Sequence, residues 1–406
     1  MTKHDPASFH KLYGVKKPRV TYYGRDFTDY TLMILLTAVV LVFSYGVRHP
    51  MTYVGLALCA FTVAMFVMRH GIEWKVPLIL RKPQDVFFLF VYKIQNLPML
   101  YLIAIGVLLV ENVLIAVTPD LPHHVELMRT IGLVLFYAHL LIITGYRTAI
   151  LVDHLAKREL AREALMQTPW KRVINAKTNI TFEILHAYTT GLLTHIILIT
   201  PWYLVMTHAR FSVIFMPVVC FINIYVHLKW LKATNEWFYR DHWLGHNSEL
   251  EFVYLHGTHH DAIPCGLIGV AGNGFLEGFF RGTLAFPIPF YNPLIPFLVY
   301  TYEIKQDIDL HQYIPGIYPK MPKRAMEIGQ HVVHHYGQLE PYSIGIKLNL
   351  PTVSAQSKTF YLTRKARQLF PDELMNSIRL DEELDDFQWD NPTHKNTLKL
   401  WDKYQQ

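Results

Sequence analysis

Apolar runs close to the length that crosses a lipid bilayer dominate the first 230 residues of this 406-residue chain. Six such runs cover residues 30–47, 51–68, 97–117, 131–151, 182–206 and 211–230. An α-helix needs about 20 apolar residues to span the hydrocarbon core, and it satisfies its backbone hydrogen bonds internally. The sequence therefore predicts an all-α fold: a multi-pass transmembrane helical bundle of about six spans.

Lysine and arginine are concentrated in every second connection between these runs. The N-terminal segment and the loops after the second and fourth runs are rich in them, whereas the other connections hold only Arg48, Arg129 and Arg210. Because positively charged loops stay in the cytoplasm, both chain termini are predicted to be cytoplasmic. His49-Pro50, between the first two runs, indicates a tight turn between antiparallel spans.

The composition excludes several classes of partner and cofactor. The net charge of +6 comes mainly from the cytoplasmic loops, where anionic lipid headgroups explain it, so no nucleic-acid partner is predicted. The cysteines are too few and too scattered for a disulfide framework or a Cys-ligated cluster. The chain divides into an N-terminal segment (1–28), the first five spans (29–210), a histidine-bearing region (211–350) and a polar cytoplasmic tail (351–406).

Eight histidines after the sixth run form three short phrases. They are His242 and His246 as H-x-x-x-H, His256, His259 and His260 as H-x-x-H-H, and His331, His334 and His335 as a second H-x-x-H-H. With 22 histidines in 406 residues, chance predicts about 0.06 matches to H-x-x-H-H, and the chain has two. Positions three or four apart share a helix face, so each phrase can direct its imidazoles at one point. Imidazole is the commonest metal ligand, and the sequence predicts a two-metal site.

The order of these phrases resembles the fatty acid hydroxylase and sterol desaturase superfamily over residues 211–350. The resemblance adds His311, in Asp307-Ile-Asp-Leu-His311, as the family's isolated histidine between the later phrases. It implies a cytoplasmic histidine-rich cap that binds two iron ions. The implied ligands are His242, His246, His256, His259, His260, His311, His331, His334 and His335. Some members have a second histidine at the place of Pro315; here one metal would have a ligand fewer, or a water or a carboxylate such as Asp309 instead.

The resemblance implies a membrane-bound non-haem di-iron oxygenase that hydroxylates a C–H bond of a lipid, such as a fatty acyl chain or a sterol. An all-imidazole ligand set suits iron. A lipid desaturase using the same site is the nearest alternative. A zinc-dependent membrane hydrolase and a metal transporter are less favoured. No catalytic residue beyond the metal ligands is assigned, and neither the lipid nor the reacting carbon is specified.

Oxidation with O2 needs external electrons, and the sequence has no motif for a bound redox cofactor. G-x-G-x-x-G at a strand-to-helix turn, C-x-x-C-H and a four-cysteine set are missing. A separate ferredoxin, small cytochrome or reductase is therefore the predicted partner, with Lys320, Lys323 and Arg324 as candidate docking residues or lipid contacts. The last residues lack a dilysine signal, which favours a bacterial inner membrane over the endoplasmic reticulum.

Some polar residues within apolar stretches have two readings. His186 and His195, in the fifth run, are expected to face neighbouring helices. Glu277 is predicted either to accept a hydrogen bond from a ligand histidine or to pair with Arg281. Four prolines between residues 287 and 296 favour a re-entrant segment over a straightforward span in the stretch 274–302.

Overall fold

The computed structural model describes residues 27–83, 86, 99–160, 162, 179–215, 217–218, 221, 253–256, 276–279 and 294–311. Within these residues the regular structure is entirely helical, which confirms the predicted all-α class for this part of the chain. The helices are α1 (Phe27–Tyr45), α2 (Pro50–His70), α3 (Leu78–Arg81), α4 (Met99–Val117), α5 (Pro122–Ala156), α6 (Ile180–His208) and α7 (Leu294–His311). Short helical turns also occur at residues 253–256 and 276–279.

Four helices of the described part are long and apolar enough to cross a membrane. They are Phe27–Tyr45, Pro50–Arg69, His124–Ala156 and Ile180–His208, with Gly106–Val117 as a shorter apolar helix. The structure is therefore compatible with a multi-pass membrane protein, as predicted. The third predicted run coincides with α4, and most of the sixth, 211–230, lies outside the described residues.

A tight turn joins α1 to α2, as the sequence predicts. Gly46 has a φ of +85° and donates its N–H to Val42 O at 2.9 Å, which closes the end of α1. His49 is the N-cap of α2, and its Nδ1 accepts a hydrogen bond from Met51 N at 3.2 Å. Pro50 begins the helix, where its missing N–H costs nothing. The predicted antiparallel connection is confirmed.

Helix α6 is the central helix of the bundle. It packs against α1, α2 and α5. Within its most apolar window 78% of the residues are buried, compared with 28% to 39% in the other candidate spans. Helices at the outside of a membrane bundle can leave apolar side chains facing the hydrocarbon of the lipid, whereas a central helix cannot. α6 therefore provides the surface on which the other elements assemble.

Side-chain contacts define the two ends of this bundle. At one end, which we call the Arg69 end, Arg69 Nη2 lies 3.6 Å from Glu183 Oε2, joining the last turn of α2 to the first turn of α6. At the opposite end, the His49 end, the Nε2 atom of His49 lies 3.0 Å from the hydroxyl of Tyr137 in α5. Further along α5, Thr148 Oγ1 lies 3.0 Å from the hydroxyl of Tyr188, near the start of α6. Helices α2 and α5 therefore run toward the Arg69 end, and α1 and α6 run away from it.

Helix α7 runs in the same direction as α5. Nδ1 of His139 lies 2.9 Å from Oγ1 of Thr301, and further along both helices Lys305 Nζ lies 5.2 Å from the ring centre of Tyr146. Since α5 runs toward the Arg69 end, α7 does too, and its last residue is His311. The described part of α7 begins at Leu294 and includes Pro296. Residues 280–293 lie outside the described part, so the predicted interruption of the stretch 274–302 stays a prediction.

Both membrane histidines of α6 face neighbouring helices, as expected. His186 is buried, and its Nδ1 lies 3.4 Å from Nη1 of Arg69 in α2. His195 is also buried, with its ring centre 5.2 Å from that of His139 in α5. Polar side chains in a membrane bundle are expensive to expose to lipid, and the packing of α6 keeps both away from it.

Candidate metal centre

Of the predicted ligands, His256 is the one whose side chain the structure describes. It ends the segment 253–256 and is 1% exposed. His311 is described only as the last helical residue of α7, at the Arg69 end. The other predicted ligands lie outside the described residues: His242, His246, His259, His260, His331, His334 and His335. The convergence of the three phrases on one point thus stays a prediction.

A buried carboxylate faces the imidazole of His256. Nδ1 of His256 lies 3.1 Å from Oε1 and 3.3 Å from Oε2 of Glu277, and Glu277 is 1% exposed. A carboxylate at this distance favours the tautomer in which Nδ1 carries the proton and donates it to the carboxylate. Nε2 is then the ring nitrogen that would bind a metal. This contact fits the predicted role of Glu277 as hydrogen-bond acceptor for a predicted ligand. Arg281 lies outside the described residues, so the predicted ion pair with it is not tested.

Glu277 is presented by a helical turn that packs directly on α6. A Cβ atom built on Gly278 would lie 3.2 Å from Thr194 O and 3.5 Å from the Cβ of Leu198. The absence of a side chain at Gly278 therefore lets the two backbones approach closely. Thr194 lies about 21 Å along the helix axis from Ile180, at 1.5 Å per residue, in the middle of α6. The carboxylate thus comes from within the bundle.

The segment that carries His256 is also fixed at the Arg69 end. Two residues before it, the Tyr254 hydroxyl donates a hydrogen bond to Asp29 Oδ1 at 2.6 Å and accepts one from Ile79 N at 3.2 Å. Asp29 Oδ1 also accepts from Leu78 N at 2.7 Å. One buried carboxylate thereby joins α1, α3 and the histidine-bearing segment. His256 lies between this anchor and the turn of Glu277.

Sequence reasoning missed Asp29 and Tyr254. Asp29 directly precedes the first apolar run and is 3% exposed. A charged residue at the start of a span is common at a membrane surface, so its position alone gave no reason to single it out. Its burial is explained by partners that include Tyr254, the backbone of Leu78, and Arg81, whose Nη2 lies 3.4 Å from Oδ2.

The described residues fit part of a metal centre. They contain no group of three or more His, Cys, Asp or Glu side chains placed to hold an ion. His256 supplies one imidazole and Glu277 the carboxylate that orients it. A buried imidazole oriented through Nδ1 has the chemistry of a metal ligand, since ligating histidines usually donate their other N–H to a carboxylate, carbonyl or water. The remaining ligands would come from the other predicted histidines.

Comparison with known proteins adds no family assignment. No protein-family model, no curated protein and no solved structure matches this chain.

Proposed function

We propose that the protein is a multi-pass membrane oxygenase that uses two iron ions, O2 and external electrons to hydroxylate a C–H bond of a lipid. The observation that carries the proposal is the contact between His256 and Glu277, 3.1 Å long and fully buried. The histidine belongs to an H-x-x-H-H phrase that occurs twice in the chain. A carboxylate on Nδ1 fixes the tautomer and ring orientation of a ligating imidazole and raises its basicity.

In this proposal each part of the centre has a defined task. The nine histidines named above would hold the metals, and iron bound there supplies the O2-dependent oxidation chemistry. Glu277 keeps the Nδ1 proton of His256 in place, so that Nε2 stays deprotonated for coordination. Tyr254 and Asp29 hold the His256 segment against the bundle. Burial of His256 and Glu277 excludes water from this side of the centre.

The proposal places the centre on the cytoplasmic side of a six-span bundle with both termini in the cytoplasm. Lys75, Arg81 and Lys82 follow α2 at the Arg69 end, the end at which Tyr254 contacts Asp29. Clustered positive charges beside a span favour the cytoplasmic side. A lipid would reach the centre laterally from the membrane, and we favour a bacterial inner membrane as its location.

Hydroxylation consumes two external electrons, so the proposal includes a soluble electron donor. A ferredoxin, small cytochrome or reductase would dock on the cytoplasmic face. Lys320, Lys323 and Arg324 are the candidate docking residues because they precede the last histidine phrase and would attract an acidic carrier. Salt should weaken such an encounter strongly.

Metal content tests the proposal without knowledge of the lipid. The purified full-length chain, produced in iron-supplemented medium, should contain about two iron ions per chain. Replacing His259 or His334 by Ala should lower that content, because each sits inside an H-x-x-H-H phrase. His208→Ala, at the far end of α6, is the matched control and should keep the metal. Unchanged iron in both phrase variants would contradict the proposal. Zinc with O2-independent hydrolysis would favour the zinc hydrolase instead.

A further inference from the structure

The connection that follows α2 exposes apolar side chains although its backbone is held against the bundle. We call residues 71–82, which include α3, the α2–α3 strap. Four of its large apolar side chains are more than half exposed: Ile72 (58%), Trp74 (75%), Val76 (59%) and Leu80 (69%). Single exposed apolar residues are ordinary, whereas several so close together mark a surface that contacts something other than water.

The strap is fixed to the first turn of α1. Oγ1 of Thr28 accepts a hydrogen bond from Lys75 N at 2.9 Å, and Oδ1 of Asp29 accepts one from Leu78 N at 2.7 Å. The side chain of Leu78 is buried, 1% exposed, so this residue packs into the bundle. The exposed side chains are therefore presented in a defined arrangement.

The backbone of the strap is suited to an environment with little water. Ile79 N donates to the hydroxyl of Tyr254 at 3.2 Å. Together with the bonds just described, the N–H groups of residues 71, 75 and 78–82 all have acceptors within the protein. Lipid offers the backbone no hydrogen bonds, so such internal pairing lowers the cost of leaving water.

The strap begins where a membrane span ends. α2 has 21 residues and is about 31 Å long, close to the thickness of the hydrocarbon core. Met68, in the last turn of α2, is 76% exposed, so the apolar surface of the span continues into the strap. Indole rings favour the boundary between lipid and water. The ring of Trp74 is held there, edge-on against Phe27 at 4.9 Å.

The charged residues of the strap indicate which headgroups it suits. They are Glu73, Lys75, Arg81 and Lys82, which leaves a surplus of positive charge. Lys75 Nζ lies 2.9 Å from Glu73 Oε1, and the lysine side chain remains 48% exposed. Long basic side chains beside apolar ones extend toward the headgroup layer and attract anionic lipids.

We propose that the α2–α3 strap lies in the membrane boundary at the Arg69 end and contacts anionic phospholipids. Its four exposed apolar side chains enter the leaflet near the glycerol level, and Lys75 and Lys82 meet the headgroups. Because the strap also contacts Tyr254, the leaflet sets the depth of the segment that ends at His256. A soluble protein is a poorer occupant, since the apolar side chains would face water whenever it was absent. This contact needs neither iron nor O2.

Fluorescence quenching by brominated lipid tests the insertion. The full-length chain is placed in nanodiscs of phosphatidylcholine brominated near the glycerol end of its acyl chains. The chain has 8 tryptophans, so the contribution of each is obtained by difference from a variant. The quenched fraction should fall in Trp74→Phe. Trp202→Phe is the matched control: that indole is 0% exposed, so the quenched fraction should stay the same or rise. Acrylamide in the water should quench Trp74 little.

Lipid retention tests the charge. Nanodiscs of equal phosphatidylglycerol and phosphatidylcholine are dissolved in mild detergent, and the lipids that stay on the protein are counted by mass spectrometry. Lys75→Glu combined with Lys82→Glu should lower the preference for phosphatidylglycerol several-fold, because each basic residue near an anionic surface contributes about a factor of five. Glu73→Gln, which removes the acid of the strap, should raise that preference.

Two results would overturn the inference. The first is an equal quenched fraction in the original protein and Trp74→Phe, with strong quenching of Trp74 by acrylamide. That result would place the strap in water and leave it as a surface for a soluble protein. The second is an unchanged preference for phosphatidylglycerol in the lysine variant, which would remove the headgroup contact. Neither result bears on iron content, so failure here is distinguishable from failure of the oxygenase proposal.

Discussion

The hydroxyl of Tyr254 donates a 2.6 Å hydrogen bond to Oδ1 of Asp29 across 225 positions of the sequence. Both residues are buried, and Asp29 in turn holds the start of α3. The contact fixes the segment ending at His256 to the beginning of α1. The candidate metal centre is therefore connected to the helical bundle through Asp29.

Removing that hydroxyl should destabilise the protein. Tyr254→Phe leaves the buried carboxylate of Asp29 with one donor fewer, at a cost of about 1–3 kcal/mol in the free energy of unfolding. Unfolding in detergent measures the loss. Tyr53→Phe, an exposed tyrosine of α2, serves as control and should leave stability unchanged. Equal stability of the two variants would show that the contact with Asp29 contributes nothing.

The carboxylate of Glu277 should control metal affinity. Glu277→Gln keeps the size of the side chain but removes the charge that orients His256, and we expect iron affinity to fall about 10- to 100-fold. Competition with a chelator measures the affinity, and Glu126→Gln on the exposed side of α5 is the matched control. Unchanged metal affinity together with lower stability would instead identify the pair as a structural ion pair.

The cap of α2 makes stability depend on pH. Partial burial lowers the pKa of His49 below its ordinary value of 6.5. Nδ1 accepts a hydrogen bond from Met51 N only while it is deprotonated. The folded protein thus binds this proton more weakly than the unfolded chain. The stabilisation is fully present above pH 6.5 and is lost as pH falls through the lower pKa of the folded state.

A non-titrating cap checks this dependence. His49→Asn can still cap the helix but does not titrate. Between pH 7.5 and pH 5 its free energy of unfolding should therefore fall less than that of the original protein, by about 1 kcal/mol. His208→Asn, in the last turn of α6 at the same end of the bundle, does not cap α2 and should leave the pH profile as it is. Identical profiles for all three proteins would exclude His49 as the titrating group.

The membrane topology predicts where reporters will be found. α5 runs from Pro122 to Ala156, long enough to cross the bilayer, so insertions near Leu121 and near Arg162 should lie on opposite sides. A reporter after Gln406 should be cytoplasmic, as should one near Arg162. A cytoplasmic signal near Leu121 would show that α5 does not cross the membrane.

The sequence predicted the long helices to within a few residues because a span is identified by its continuous apolar run. The predicted run 51–68 corresponds to the helix Pro50–His70, which is longer by one residue at its start and by two residues at its end. The largest difference is α5, which begins at Pro122 although its apolar run begins at 131. Its first turns include Glu126 and Arg129, which form an exposed ion pair that an apolar-run criterion excludes.

Contacts between distant residues were less accessible from sequence. Glu277 was predicted either to accept a hydrogen bond from a ligand histidine or to pair with Arg281, and the sequence could not name the histidine, which the structure shows to be His256. The Asp29–Tyr254 bond could not be predicted, since nothing local to either residue specifies the other. His139 carried the same signal as His186 and His195, a histidine inside an apolar run, and its packing against His195 depends on the antiparallel arrangement of α5 and α6.

The central claim is that O2 is used to oxidise a lipid at the histidine-phrase centre, and isotope labelling tests it most directly. Lipids are extracted from cells grown under 18O2 that carry the original gene, the His259→Ala variant or no gene, and are compared by mass spectrometry. The account predicts a lipid that has gained one 18O atom only with the original gene. Loss of two hydrogens without 18O would indicate the desaturase. Identical lipid profiles in all three strains, with iron-loaded protein present in the membrane, would contradict the account.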